Sequence, residues 1–295
     1  MAYRKRHEAE KGPSLHERIT QKIVDELKEG SVPWVKPWNG NALAGLPRNY
    51  VSNRPYSGIN VLLVWLSTLE HGFNDTRWLT ANQINELGGS FKGESATRIL
   101  FAKSYTRAAG TADEETFFVY KAYNVFNAEQ VSGVPLEPED SPPPFEARLE
   151  HAEAFIAAQG VPITHGGDRA FYLPSKDAIN MPFPGSFTPP ASYYAVALHE
   201  LAHASGHPRR LDRPKGAKGS SEYAFEELVA ELTAAFVCAE LGIPAALHHT
   251  GYIGTWVELL ENDPKAIFSA SREASKATAF LRVQAERAAL LPAAA

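Results

Sequence analysis

Between Ser14 and Glu29 the apolar residues Leu15, Ile19, Ile23 and Leu27, with Val24 beside them, recur at three- and four-residue intervals. That period puts them on one face of a helix, which Gly30 and Pro33 end. Asn60–Leu69 reads as a second, more apolar helix and Ala81–Leu87 as a short third one. The pattern then changes to strand type: Thr97–Thr106 and Glu115–Phe126 are rich in β-branched and aromatic residues. The polar stretch Arg107–Glu114 between them predicts an antiparallel hairpin. Val134–Phe145, reading VPLEPEDSPPPF, interrupts all periodicity and suits an extended linker. Beyond it, Phe145–Gln159 is helical, and Arg169–Met181 holds two short strands broken at Pro174. Ser192 is the expected N-cap of a helix that runs to about Ser205 before Gly206. Ser221–Leu241 is a long helix closed by Gly242 and Pro244, and the rest is helical from Tyr252 with a break near Asp263–Pro264. The expectation is an α+β fold in two domains, 1–135 and 146–295, joined by an acidic, Pro-rich linker over 136–145. Trp65 and Phe101 are expected in the core of the first.

Composition narrows this picture. Hydrophobic residues make up 44% of the 295 and charged residues 21%, so each domain can bury a core. The net charge of -5 excludes a generally basic nucleic-acid binder, but it is unevenly spread. Residues 1–135 hold 16 Lys and Arg against 14 Asp and Glu, whereas 136–295 hold 13 against 20. Only the first half can meet a polyanion without repulsion. A single cysteine, Cys238, excludes an intrachain disulfide. The N-terminus has no apolar signal-like core, and the longest apolar run, Val61–Leu66, is too short for a membrane span. A cytoplasmic protein with no membrane partner is expected.

The chemistry concentrates in His199-Glu200-Leu201-Ala202-His203. Histidines four apart share a helix face, about 6 Å apart along the axis, and can bind one metal ion. The intervening Glu200 can then act as general base toward a water that the ion has made acidic. This is a zincin-type metallopeptidase pattern, with zinc the first expectation and manganese or cobalt also compatible with the ligands. A third ligand is needed. His207 lies beyond the helix-ending Gly206. Glu227 and Glu231, four apart on the Ser221–Leu241 helix and near the small residues Ala230, Ala234 and Cys238, are the better candidates, one ligating and the other orienting a histidine. Glu226 is expected to be solvated. Asp177–Met181, closed by Pro182, is the expected sheet edge for an extended substrate, and Tyr172 and Tyr223 are candidate oxyanion donors.

The first half interleaves aromatic and basic side chains. Arg48, Arg54, Tyr56, Trp78, Lys92, Arg98, Lys103 and Lys121 are candidate contacts to single-stranded DNA, since stacking platforms beside cations bind single strands with little regard to sequence. No helix-turn-helix, zinc-finger or basic-helix signature points to duplex reading.

RPYSGIN (54–60), Trp78-Leu79-Thr80 with Gln83, Gly88-Gly89, Lys92-Gly93-Glu94, VFNAEQ (125–130), DAINMP (177–182), HELAHASGH (199–207) with Arg210-Leu211, and EELVAEL (226–232) occur in an order that resembles the ArdC-type antirestriction proteins of conjugative plasmids. It is also similar to the N-terminal region of TraC-type plasmid primases. The resemblance implies an N-terminal single-stranded-DNA-binding domain, a C-terminal zincin-like metallopeptidase domain, and protection of incoming plasmid DNA from restriction. It implies His199 and His203 as ligands and Glu200 as base. Likeness to short zincins, whose ligand glutamate precedes small residues and a Phe (here Ala234, Ala235 and Phe236), favours Glu231 as third ligand, whereas thermolysin-like spacing favours Glu227. Two rival expectations are a DNA-binding protein with a structural or vestigial metal site, and a metallopeptidase that acts on a host regulator without touching DNA.

Overall fold

The computed structural model describes residues 12–35, 45–107, 115–134, 136, 144–244 and 250–290. Most of the expected linker, residues 137–143, lies outside the described residues. Helix α1 spans Leu15–Lys28, opened by a capping box in which Ser14 and Glu17 each satisfy the other's backbone N–H. β1 (Arg48–Asn49) and β2 (Arg77–Thr80) flank α2 (Ile59–His71), and β2 runs directly into α3 (Ala81–Glu86) through a Thr80–Gln83 capping box. The predicted hairpin is present as β3 (Thr97–Arg107) and β4 (Glu115–Asn127), and the four strands form a sheet in the order β1-β2-β4-β3. The side chain of Asn60 ties α2 to this sheet. It donates to the carbonyl of Leu100 at 2.8 Å and accepts from its N–H at 2.7 Å.

The second half begins with α4 (Phe145–Ala157) and a three-stranded sheet of β5 (Ile163–His165), β6 (Phe171–Leu173) and β7 (Ala178–Met181), ordered β5-β7-β6. The expected edge strand, Asp177–Met181, is therefore the central one: β7 pairs with both neighbours, and β6 has a free edge among the described residues. α5 (Ala191–Ser205), α6 (Ser221–Leu241), α7 (Ile253–Asn262) and α8 (Ala266–Leu290) follow. Pro190, not Ser192, precedes the first turn of α5. Proline suits a helix start, and Ser192 is buried within the helix. Ser220 caps α6, and Gly242, at φ +66°, closes it in the left-handed conformation that favours glycine.

One hydrophobic cluster is shared by both halves. Ile23, Val24 and Leu27 of α1 and the apolar face of α2 meet Leu228, Leu232 and Phe236 of α6 and Trp256 and Leu260 of α7. Trp34 meets Trp256 edge-on at 5.8 Å and Trp65 meets Phe236 at 5.6 Å, while Thr20 donates to the carbonyl of Pro264 at 2.7 Å. Each such large side chain contributes about 2–3 kcal/mol by burial. A second cluster seals α4, α5 and the small sheet against α6 and α8. Trp65 is in the core as expected, but Phe101 is 52% exposed.

Candidate functional site

α5 and α6 cross so that the polar groups of two otherwise apolar helices converge. Nε2 of His199 and Nε2 of His203 lie 3.2 Å apart. The two oxygens of Glu227 face them, Oε2 at 3.6 Å from the former and Oε1 at 3.6 Å from the latter. Two nitrogens bound at 2.0–2.1 Å to one tetrahedral ion would be roughly 3.3 Å apart, so this donor set has the spacing of a divalent-metal site. Glu231 stands on the other side of His199, its Oε2 at 3.3 Å from Nδ1. The geometry thus sets Glu227 among the candidate ligand atoms and Glu231 behind one of the imidazoles, the reverse of the order that the short-zincin likeness favoured. His207 is not in the group; its Nδ1 accepts from the backbone N–H of Arg209 at 3.2 Å.

Glu226, expected in solvent, is buried. Its Oε1 lies 3.4 Å from Nδ1 of His203, and Arg213 donates to both its oxygens, at 2.7 and 2.9 Å. The same guanidinium donates to the carbonyl of Ala202 at 2.7 Å and to Ser205 Oγ at 2.8 Å. Gly206 makes room for it: a Cβ there would lie 2.8 Å from Nη2 of Arg213. Each imidazole therefore has a carboxylate on its Nδ1 side. That pairing fixes ring orientation and makes Nε2 a better donor to a metal. Adjacent residues of a helix point about 100° apart. With no sequence signal linking Arg213 to α6, the role of Glu226 could be read only from the crossing of the helices.

Electrostatics follow the same arrangement. Burial opposes charge on His199, but the hydrogen bonds it donates to the carboxylates of Glu227 and Glu231 prevail and raise its pKa to about 10. His203 is likewise raised against its burial by Glu226 and Glu227. Burial pushes the Glu227 carboxyl upward, yet the two histidines outweigh it and hold it well below the usual range. The carboxylates thus favour positive charge at the two imidazoles, which is the electrostatic setting of a cation site.

The centre lies at the floor of a cleft of about 410 Å³. Glu200 opens into it beside the two histidines, and β6 contributes one wall through Phe171 and Tyr172. Tyr223 also lines the cleft, its hydroxyl 3.1 Å from that of Tyr252; burial raises its pKa strongly, so its proton stays in place. Tyr172 donates to Asp177 at 2.7 Å and is committed to that contact.

The DNA candidates divide. Arg54 and Tyr56 line a second groove of about 500 Å³ with Ile99, Phe101 and Tyr123. Lys121 sits over the Tyr123 ring at 5.3 Å, and Phe101 meets that ring edge-on at 5.3 Å. Phe101, assigned to the core by its pattern, is instead exposed with Tyr123 on the groove face. Trp78 is the opposite case: it is fully buried against Phe73 and cannot stack on a base. Arg98 pairs across the hairpin with Asn124, and strand alternation carries it to the other face. Lys92 is exposed beyond α3 but does not line the groove, and neither does Arg48. Lys103 belongs to β3, with its side chain outside the described residues.

Comparison with known proteins gives two family models that together span most of the chain. Residues 13–126 match the N-terminal domain of anti-restriction factor ArdC, and residues 150–273 match a zincin-like metallopeptidase domain. The metal-free crystal structure of the antirestriction ArdC protein from plasmid R388 superposes with a TM-score of 0.78 at 33% identity, over 93% of this chain and 99% of that one. Its Mn(II)-bound structure gives 0.77, also at 33% identity, over 92% of this chain and 98% of that one. Protein y4eC of Sinorhizobium fredii is 36% identical over 92% of both chains. A DNA primase TraC of Escherichia coli is 36% identical over 92% of this chain, which spans only 27% of that primase. No helix among the described residues is long and apolar enough to cross a membrane.

Proposed function

The chain belongs to the ArdC antirestriction family and carries that family's N-terminal domain followed by a zincin-like metallopeptidase domain, and from this premise we propose that it protects DNA by binding single strands through the first domain and that the second is a working, divalent-metal-dependent peptidase. In this reading His199, His203 and Glu227 hold the metal, zinc or manganese, while Glu226 and Glu231 orient the two histidines from behind. The observation that carries it is the convergence of two Nε2 atoms and one carboxylate at 3.2–3.6 Å, with Glu200 beside them at the floor of an open cleft.

A divalent ion in this position supplies Lewis acidity, polarising a carbonyl and acidifying a water. The chain does the rest. The free edge of β6 offers backbone donors and acceptors to an extended polypeptide. Glu200 accepts the proton of the attacking water at its carboxylate and returns it to the departing amine. Tyr223, kept protonated by its surroundings, donates to the oxyanion that develops at the scissile carbonyl. On the first domain, Phe101 and Tyr123 present stacking faces, with Arg54 and Lys121 beside them for the phosphates.

The test is to strip the protein of metal, restore one equivalent of zinc or manganese, and follow both a peptide mixture by mass spectrometry and a labelled single-stranded oligonucleotide by anisotropy. Metal-dependent cleavage that Glu200→Gln abolishes, with oligonucleotide binding intact, is the expected result. Oligonucleotide binding with no cleavage under any metal would leave a DNA-binding protein whose metal site is structural.

A further inference from the structure

The charge around the cleft runs against that of the domain that contains it. Residues 136–295 are acidic in sum, yet the cleft rim carries Arg169, Lys215 and Lys218, all exposed. None of the three forms an ion pair among the described residues. The carboxylates that line the cleft, Glu200, Glu226 and Glu227, all lie at its floor with the histidines. Of these, Glu226 is occupied by Arg213, and Glu227 faces the two imidazoles. The other lining residues are cationic, aromatic or small and uncharged.

One cation has a defined place. Lys215 holds its ammonium 4.6 Å from the centre of the Tyr172 ring, and Tyr172 is the middle residue of β6. The hydroxyl of that tyrosine is fixed by Asp177, which Arg210 grips through both its oxygens at 2.8 and 3.0 Å. The charge is therefore set directly over the strand whose outer edge is free. Phe171, 43% exposed on the same strand, adds an apolar seat next to it.

Resting on the peptidase reading above, we propose that the cleft selects an acidic polypeptide segment, lying along the free edge of β6 with carboxylate side chains on Lys215, Lys218 and Arg169. A strand edge alternates N–H and C=O groups, which match a peptide backbone and not a phosphodiester one. The carboxylates at the floor repel phosphate and tolerate a neutral peptide bond. Rim cations act on side chains that flank that bond, where long-range attraction raises the encounter rate and rejects basic sequences.

The probes are three fluorescein-labelled ten-residue peptides, identical except for Glu, Gln or Lys at two flanking positions, bound to manganese-loaded Glu200→Gln protein and read by anisotropy. The Glu peptide is expected to bind about tenfold more tightly than the Gln peptide at low salt, and the Lys peptide more weakly still. Lys215→Glu/Lys218→Glu, and separately Arg169→Glu, should erase or invert that order with metal content unchanged. Equal affinities, no binding of any peptide, or a preference that survives charge reversal would overturn the proposal. So would an oligonucleotide whose binding is lost in the rim variants while the peptides are unaffected, since the rim would then belong to DNA. Glu-selective binding without cleavage by manganese-loaded wild type would uphold the recognition and refute the peptidase reading alone.

Discussion

The α5–α6 crossing and the β3–β4 hairpin hold their functional groups in opposite ways. At the crossing each polar atom is backed by another: Glu231 behind His199, Glu226 behind His203, and Arg213 behind Glu226. All but His203 are buried among the side chains of two packed helices. On the hairpin, Phe101 and Tyr123 are exposed and rest on each other and on Lys121. The first arrangement has one geometry and tolerates little error, as metal chemistry requires. The second offers flat faces and mobile charges, which suits bases of any identity.

The contrast should be widest at Glu200. Glu200→Gln is expected to lower peptide turnover by about a thousandfold, with metal content and oligonucleotide affinity unchanged. Loss of DNA binding in the same variant would show that the two regions are not separable. Next in size is the difference between two glutamates on one helix. Glu227→Ala should abolish stoichiometric metal binding, whereas Glu231→Ala should weaken it about 10- to 100-fold, read by competition with a chromogenic chelator. Equal losses would remove the distinction between ligand and orienting group.

On the other side, Phe101→Ala with Tyr123→Ala should cost about 1–3 kcal/mol of oligonucleotide affinity per lost stacking contact and leave the melting temperature near wild type. Trp78→Ala should do the reverse, destabilising the fold by about 3–5 kcal/mol in chemical denaturation. Trp78 lies on the same face of the sheet as Phe101 and Tyr123, so a Trp78 variant that melts normally but no longer binds DNA would extend the interface along that face toward β2.

The smallest effect concerns the brace under β6. The hydrogen bond from Arg210 holds the Asp177 carboxyl below its ordinary value against the opposing effect of burial. A depressed carboxyl stabilises the fold fully above its unfolded pKa, about 3.9, and that contribution fades as pH falls through the lower folded value. Arg210→Ala should therefore raise the midpoint of acid unfolding, by less than about half a pH unit because the pair is partly solvated, and leave neutral stability only slightly changed.

What could be read from the chain depended on the range of the signal. Capping boxes at Ser14 and the long periodic stretch of α6 are local, and their elements stand where the pattern puts them. The histidine pair needed only helical spacing. The choice between Glu227 and Glu231 needed the crossing of α5 over α6, and the Arg213–Glu226 contact needed a loop to fold back across it. Ile99, Leu100 and Phe101 are three consecutive apolar residues, so the pattern could not say where along β3 the cover ends; Ile99 and Leu100 are buried, one on each face, and Phe101 is exposed. The order of the small sheet is likewise a tertiary fact: β7 is central because β5 joins it in parallel.

The cluster that Trp34, Trp65 and Ile23 share with Phe236 and Trp256 bears on descent. A border between two family models ordinarily marks a place where evolution can cut and rejoin. Here a cut between residues 126 and 150 would strip the apolar faces from α1 and α2 on one side and from α6 and α7 on the other. Neither fragment could be passed on alone without a new partner for that surface. The pair should travel between genomes as one cassette, and it is found whole both in a relative of its own length and inside a primase more than three times longer.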